Sequence, residues 1–290
     1  MIKRWLLMPV LLSSSLLFAA DPEPDPDYPP AAAEVVVPSQ GARLPGLMYL
    51  ANGQGPHPTV VLLHGFPGNE RNLDVAQELR RSGFNTLFFS YRGAWGSEGE
   101  YAVSHLAEDA LAALAFLRSD KARDELRVDA GKLSLLGHSF GGWTALAAAT
   151  SDDQLACVAA LAPAELATYA DGLRAEDPRA LGFSAYAEQQ FMLEGLTAGK
   201  INKFLLDTPR DQLDLKAFGP RLADKAVLVI AGEQDTVTPP ATMFSPVVDA
   251  YGKVDGIKLE AHLISGDHSF SWSRLKLSDL IRDWMLRNCG

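Results

Sequence analysis

Apolar residues follow two alternating patterns along this chain. Unbroken short runs at Thr59–Leu63, Asn85–Tyr91, Lys132–Gly137, Leu155–Leu161, Ala226–Ala231 and Lys258–Ile264 have the length of strands buried on both faces. Between them, Asn72–Arg81, Ser104–Arg118, Phe140–Thr150, Pro240–Tyr251 and Asp279–Asn288 carry helical signals. Glu34–Val37 and Gly46–Ala51, with Gly41 between, read as an antiparallel pair that opens the sheet. This alternation predicts an α/β protein with a mostly parallel central sheet flanked by helices. Ligand sites in such sheets lie at the carboxyl ends of the strands.

The rhythm breaks between Ala164 and Arg221, which is too long for a simple crossover and holds several helical stretches, Ser184–Leu196 among them. It reads as a small helical cap over the strand ends. Nothing repeats internally, so one domain is expected over residues 34–290, with the cap at about 164–221.

The first residues read differently. Lys3 and Arg4 precede an apolar stretch, Trp5–Phe18, that ends in Ala19 and Ala20, the layout of a secretory signal peptide over residues 1–20. Phe18 sits where a small residue is preferred, so the cut site stays open, and an uncleaved anchor is the alternative. Residues 21–33, rich in Pro and Asp, read as a flexible N-terminal segment. The expected location is secreted or periplasmic, with no stable membrane insertion after cleavage.

A net charge of −10 argues against nucleic acid as a partner, because phosphate binding needs a basic field. The two cysteines, Cys157 and Cys289, lie in neither a metal-ligand nor a nucleophile context. Export permits a disulfide between them, but spacing does not decide it. No cofactor or metal is expected, and oligomeric state is not legible.

The chemistry centres on Gly137-His138-Ser139-Phe140-Gly141, between an apolar strand and an Ala-rich helix. Glycines two positions either side of a serine permit a sharp strand-to-helix turn that raises the hydroxyl toward a substrate. A serine hydroxyl needs a base, and the base a carboxylate to orient it. His268 follows the last strand directly, and Asp235 follows the strand before it. The order Ser139, Asp235, His268 is that of a hydrolase triad. Glu233 and Asp267 are rivals for the carboxylate, while His57, His105, His138 and His262 are placed less well for the base. Oxyanion donors are expected from the amide of Phe140, at a helix start, and of Phe66, in His64-Gly65-Phe66-Pro67-Gly68. Pro67 has no amide hydrogen to offer.

Together these windows resemble the α/β-hydrolase superfamily from Val35 to the C-terminus. Arg92-Gly93-Ala94-Trp95-Gly96-Ser97 is similar to a loop that supports the active-site mouth in many members. The nearest likeness is to exported single-domain hydrolases grouped with dienelactone hydrolases and prolyl-oligopeptidase catalytic domains. The chain differs from the former in using serine rather than cysteine, and from the latter in having only a short tail before Val35. The resemblance implies an α/β-hydrolase fold and a serine esterase acting on a small-molecule ester or other acyl substrate. A small-peptide amidase is the runner-up, and a non-catalytic binding protein on the same fold the third reading. Trp95, Trp143, Phe270 and Trp272, with Phe66 and Phe140, are the aromatic candidates for an acyl pocket.

Overall fold

A computed structural model describes residues 21–290. The signal peptide expected over residues 1–20 lies outside the described residues. Eight strands form one sheet: β1 (Ala31–Ser39), β2 (Ala42–Leu50), β3 (His57–Leu63), β4 (Asn85–Phe89), β5 (Val128–His138), β6 (Cys157–Leu161), β7 (Ala226–Gly232) and β8 (Lys258–Ile264). Their order is β1-β2-β4-β3-β5-β6-β7-β8. β1 and β2 pair antiparallel, β2 joins β4 antiparallel, and the other pairings are parallel.

Side chains alternate across each central strand, so one strand feeds two cores. Val61, Leu135, Val158 and Val229 face one side and pack with α2 (Leu106–Leu117) and α4 (Phe140–Ala149). Val60, Leu136, Ala159 and Leu228 face the other, against α1 (Leu73–Arg81) and the C-terminal helix Arg274–Asn288. Helices on both faces explain why β3, β4, β6 and β7 read as near-continuous apolar runs, whereas edge strand β8 is only partly buried. The α/β-hydrolase architecture expected from sequence is therefore present.

The helices differ from expectation at several points. A helix α3 (Asp120–Leu126) lies before β5, with the Ser119 side chain accepting the Ala122 amide as its cap. The cap contains α5 (Leu166–Arg174), α6 (Pro178–Ala187), α7 (Ala198–Asp207) and α8 (Arg210–Leu213). Its second helix starts before Ser184, because Asp177 accepts the Arg179 amide with Pro178 at the first helical position. That helix also stops well short of Leu196. Residues 192–194 bond instead to the loop after β4: Trp95 N–H donates to Met192 O, Glu194 N–H to Gly93 O, and Tyr101 N–H to Glu194 O. Near the C-terminus, the stretch Pro240–Tyr251 divides into α9 (Pro240–Met243) and α10 (Ser245–Tyr251), and α11 (Arg274–Asn288) begins before Asp279.

The segment expected to be flexible, residues 21–33, includes the start of β1. β1 begins at Ala31, and the preceding bend is tied to the body. Asp25 N–H donates to Asn52 Oδ1, Gly53 N–H to Tyr28 O, and Arg127 Nη1 to Tyr28 O at 3.1 Å. The Asp25 carboxylate accepts the Asp27 and Tyr28 amides, an Asx turn that composition alone does not reveal. Cys157 on β6 and Cys289 at the end of α11 form a disulfide, fastening the C-terminal helix to the sheet.

One buried ion pair braces the loop after β4. Asp109, fully buried on α2, accepts Arg92 Nε at 2.6 Å, Arg92 N–H at 2.9 Å and Ser39 Oγ at 2.6 Å. Removing one partner of a buried pair strands the other charge. Asp109→Ala is expected to destabilise the fold by about 3–5 kcal/mol, measured by urea denaturation; a loss under about 1 kcal/mol would show that water and the existing bond from Arg92 Nη2 to Glu108 suffice for the guanidinium.

Candidate active site

The loops after β3, β5, β7 and β8 converge at the carboxyl ends of the strands, where Ser139, His268, Phe66 and Phe140 line one cavity of about 960 Å³. Ser139 follows β5 with φ 57° and ψ −121°, a backbone state that side chains other than glycine rarely adopt. The turn is anchored on both sides. Ser139 N–H donates to Leu161 O, and Ser139 O accepts Gly142, Trp143 and Ala164 amides. A Cβ on Gly137 would stand 1.8 Å from Gly141 O, so the turn closes only with glycine there.

The loop after β3 presses directly onto this turn. A Cβ on Gly65 would lie 2.9 Å from Ser139 Cβ. His64 Nδ1–H donates to Gly65 O at 2.8 Å and so holds the peptide whose other end is the Phe66 amide. In a trans peptide, N–H points opposite to C=O. Burial pushes His64 down to about 4, so it stays neutral. Neither the Phe66 nor the Phe140 amide donates to a protein group among the described residues. The Phe140 amide is also the first of a helix, where the dipole favours negative charge.

Asp235 and His268 are hydrogen-bonded, Nδ1 to Oδ2, at 2.8 Å. The carboxylate is fully occupied. Oδ1 accepts the Val237 and Thr238 amides, and Oδ2 also accepts Thr238 Oγ1 at 2.6 Å. Burial alone would raise the Asp235 carboxyl, but the bond from His268, with those from Thr238, outweighs it and holds it below the usual carboxylate range. An ionised Asp235 fixes the proton of His268 on Nδ1 and leaves Nε2 as an acceptor. The rivals sit elsewhere: Glu233 is exposed, and Asp267 caps its own turn by accepting the Ser269 and Ser271 amides. Thr238 is a site residue the sequence reading missed, although an Asp followed three residues later by Thr at a strand exit is a turn signal.

Ser139 and His268 share the cavity, but no hydrogen bond joins the serine hydroxyl to the imidazole among the described residues. Such bonds are commonly long without substrate and tighten when it binds. The two loops are nevertheless in contact. His138 Nε2–H donates to the His268 carbonyl at 2.8 Å, and the two rings lie 4.7 Å apart. Burial pushes His138 down to about 3, so it holds the loop as a neutral donor. His138→Leu would leave that carbonyl unpaired and is expected to lower kcat about tenfold, read from steady-state kinetics; an unchanged kcat would remove His138 from the site.

Four aromatic candidates lie outside the cavity. Trp95 is half-exposed and donates Nε1–H to Pro67 O at 2.7 Å, with Arg71 over its ring, so it props the loop bearing Phe66. Trp143 is buried against Phe218 and donates to Leu213 O, because its helical face looks toward the cap segment. Phe270 is fully buried in the core beside α11, since the turn closed by Phe270 N–H to Asp267 O drives the ring inward. Trp272 is exposed and lines a separate shallow depression with Ser265 and Leu275. Phe66 and Phe140 do line the cavity, joined by Tyr169, Phe183 and Tyr186 from the cap. Among the described residues, no cluster suited to a metal ion is found, and no helix is long and apolar enough to cross a membrane.

A mostly parallel sheet thus carries a serine turn at the β5 exit and a hydrogen-bonded carboxylate–imidazole pair at the β7 and β8 exits. The chain belongs to the alpha/beta hydrolase family, whose model matches residues 60–277. It is similar to Est1E of Butyrivibrio proteoclasticus, solved with ferulic acid bound, at 19% identity and a TM-score of 0.68 over 88% of this chain and 98% of that one. The esterase Pf2001 of Pyrococcus furiosus matches at 17% identity and a TM-score of 0.66, over 91% and 94%. Likeness at these identities shows the fold. In sequence, the quorum-quenching protein AidA of Acinetobacter baumannii is 30% identical over 144 residues, 47% of this chain. The chain spans 45% of that curated relative's length.

Proposed function

We propose that the protein is a serine hydrolase that cleaves carboxylic esters through an acyl-enzyme. The observation that carries this is the Asp235–His268 hydrogen bond in the cavity where Ser139 stands on its strained turn. In this reading, Ser139 Oγ attacks the ester carbonyl as His268 Nε2 takes the hydroxyl proton. Asp235 stabilises the imidazolium and holds its orientation. The Phe66 and Phe140 amides hold the oxyanion. Collapse of the tetrahedral intermediate breaks the bond to the alkoxy oxygen, which leaves as an alcohol with the proton from His268. Water, deprotonated by the same nitrogen, then attacks the acyl-enzyme and releases the acid. Esterase neighbours of the same fold support the choice of bond.

Turnover of short-chain p-nitrophenyl esters against aminoacyl-p-nitroanilides tests it. Esters are expected to turn over with kcat/KM of about 10⁴ M⁻¹s⁻¹ or more and anilides far more slowly. Preference for the anilide would favour the peptidase reading. We further propose that the protein works outside the cytoplasm, an inference from the leader-like residues 1–20 supported by the Cys157–Cys289 disulfide.

A further inference from the structure

The cavity has one wall made of aromatic rings. Phe66 from the loop after β3, Phe140 from the start of α4, and Tyr169 and Phe183 from the cap stand in mutual contact. Phe183 lies 5.2 Å from Phe66, 5.5 Å from Phe140 and 5.1 Å from Tyr169, ring centre to ring centre. Tyr186 adds a fifth ring, 6.0 Å from Phe66, near the mouth. The array is built from three separate segments of chain, and all five rings line the cavity. Branched aliphatic lining is sparse by comparison, Val237 being its one Val, Leu or Ile among the described residues.

An apolar wall of Leu and Val grips an alkyl chain and an aryl ring about equally. A wall of rings does not, because aromatic pairs prefer offset or edge-to-face contacts that an alkyl chain cannot make. Each such contact favours the aryl group by about 2- to 10-fold beyond what burial of area supplies. Charge leaves the class open: Glu70, Asp171, Asp177 and Arg179 line the cavity, and Asp171 is already paired with Arg174 and Arg210.

Resting on the esterase reading, we propose that the substrate is an ester carrying an aryl ring, which packs into the array formed by Phe66, Phe140, Tyr169, Phe183 and Tyr186. Either half of the ester can carry the ring, and the two cases are separated by experiment. Ethyl 3-phenylpropanoate is compared with ethyl hexanoate, and 3-phenylpropyl acetate with hexyl acetate, each pair matched in hydrophobicity and followed by titration of released acid. In at least one pair, the aryl ester is expected to exceed its alkyl partner in kcat/KM by about 10-fold. Phe183→Leu keeps a large apolar side chain and is expected to bring that ratio below about 3. Should that variant fold poorly, the more exposed Tyr186→Leu serves the same comparison.

Ratios near one in both pairs, or a ratio unmoved by the cap variants, overturn the proposal. A wall that merely packs the cap would lower all four activities together. Calorimetric titration of Ser139→Ala protein with 3-phenylpropan-1-ol and hexan-1-ol separates this proposal from the esterase reading. Preference for the aryl alcohol sustains the aryl site even where no ester is cleaved. Equal affinity for the two alcohols counts against it whatever the reaction.

Discussion

Ser139→Ala is expected to lower kcat for ester hydrolysis by on the order of 10⁵- to 10⁶-fold while leaving the fold intact. The size of the effect follows from the proposed covalent route. Without the hydroxyl there is no acyl-enzyme, and only the oxyanion donors and substrate positioning remain. The hydroxyl contributes little to packing, because it faces the cavity and makes no hydrogen bond to a protein group among the described residues. The backbone of the turn is held instead by bonds from residue 139 to Leu161, Gly142, Trp143 and Ala164, which alanine keeps. Steady-state kinetics and thermal unfolding on the same preparation check both halves. A fall of less than about 10²-fold would mean that water attacks the ester directly with His268 as base.

The second large effect is expected at Asp235. Asp235→Asn preserves shape but presents an amide NH₂ or a neutral oxygen to His268 Nδ1. The imidazole then loses both its fixed tautomer and the negative charge that stabilises its protonated form. A drop in kcat of on the order of 10³- to 10⁴-fold is expected, with KM changed little. Stability carries an independent signature. The Asp235 carboxyl is held below its usual range in the fold, so its stabilising effect is complete above the unfolded-state range. It is lost as pH falls through the lower folded value. Wild type should therefore exceed the asparagine variant in stability near neutrality, and the gap should close in acid. A gap that widened with acid would contradict the ionised state of the pair. Thr238 shares this carboxylate through Oγ1 and its amide, so it belongs to the same unit.

What the sequence discloses and what it hides divide along physical lines. Strands buried on both faces announce themselves as apolar runs, and β8 matches its expected bounds of Lys258 and Ile264. Turn chemistry at strand exits is equally local, which is why Ser139, Asp235 and His268 are found at the ends of β5, β7 and β8. Helix ends fixed by distant partners are not legible. The segment expected to continue as helix to Leu196 pairs with Gly93, Trp95 and Tyr101, residues about a hundred positions away. The direction of a bulky side chain is likewise settled by packing. Trp143 and Phe270 flank site residues in sequence yet point into cores, while Tyr169, Phe183 and Tyr186 reach the cavity from the cap. The docking of residues 25–30 depends on Asn52, Gly53 and Arg127, so their composition alone resembles a free tail.

The central claim is that Ser139 is the activated nucleophile of this cavity. Incubation with an alkyl fluorophosphonate, followed by intact-mass measurement and peptide mapping, tests it without knowledge of the natural substrate. The account predicts one phosphonyl adduct per chain, located on Ser139, and no adduct on Ser139→Ala protein. An adduct on another residue, or labelling undiminished in that variant, would contradict it.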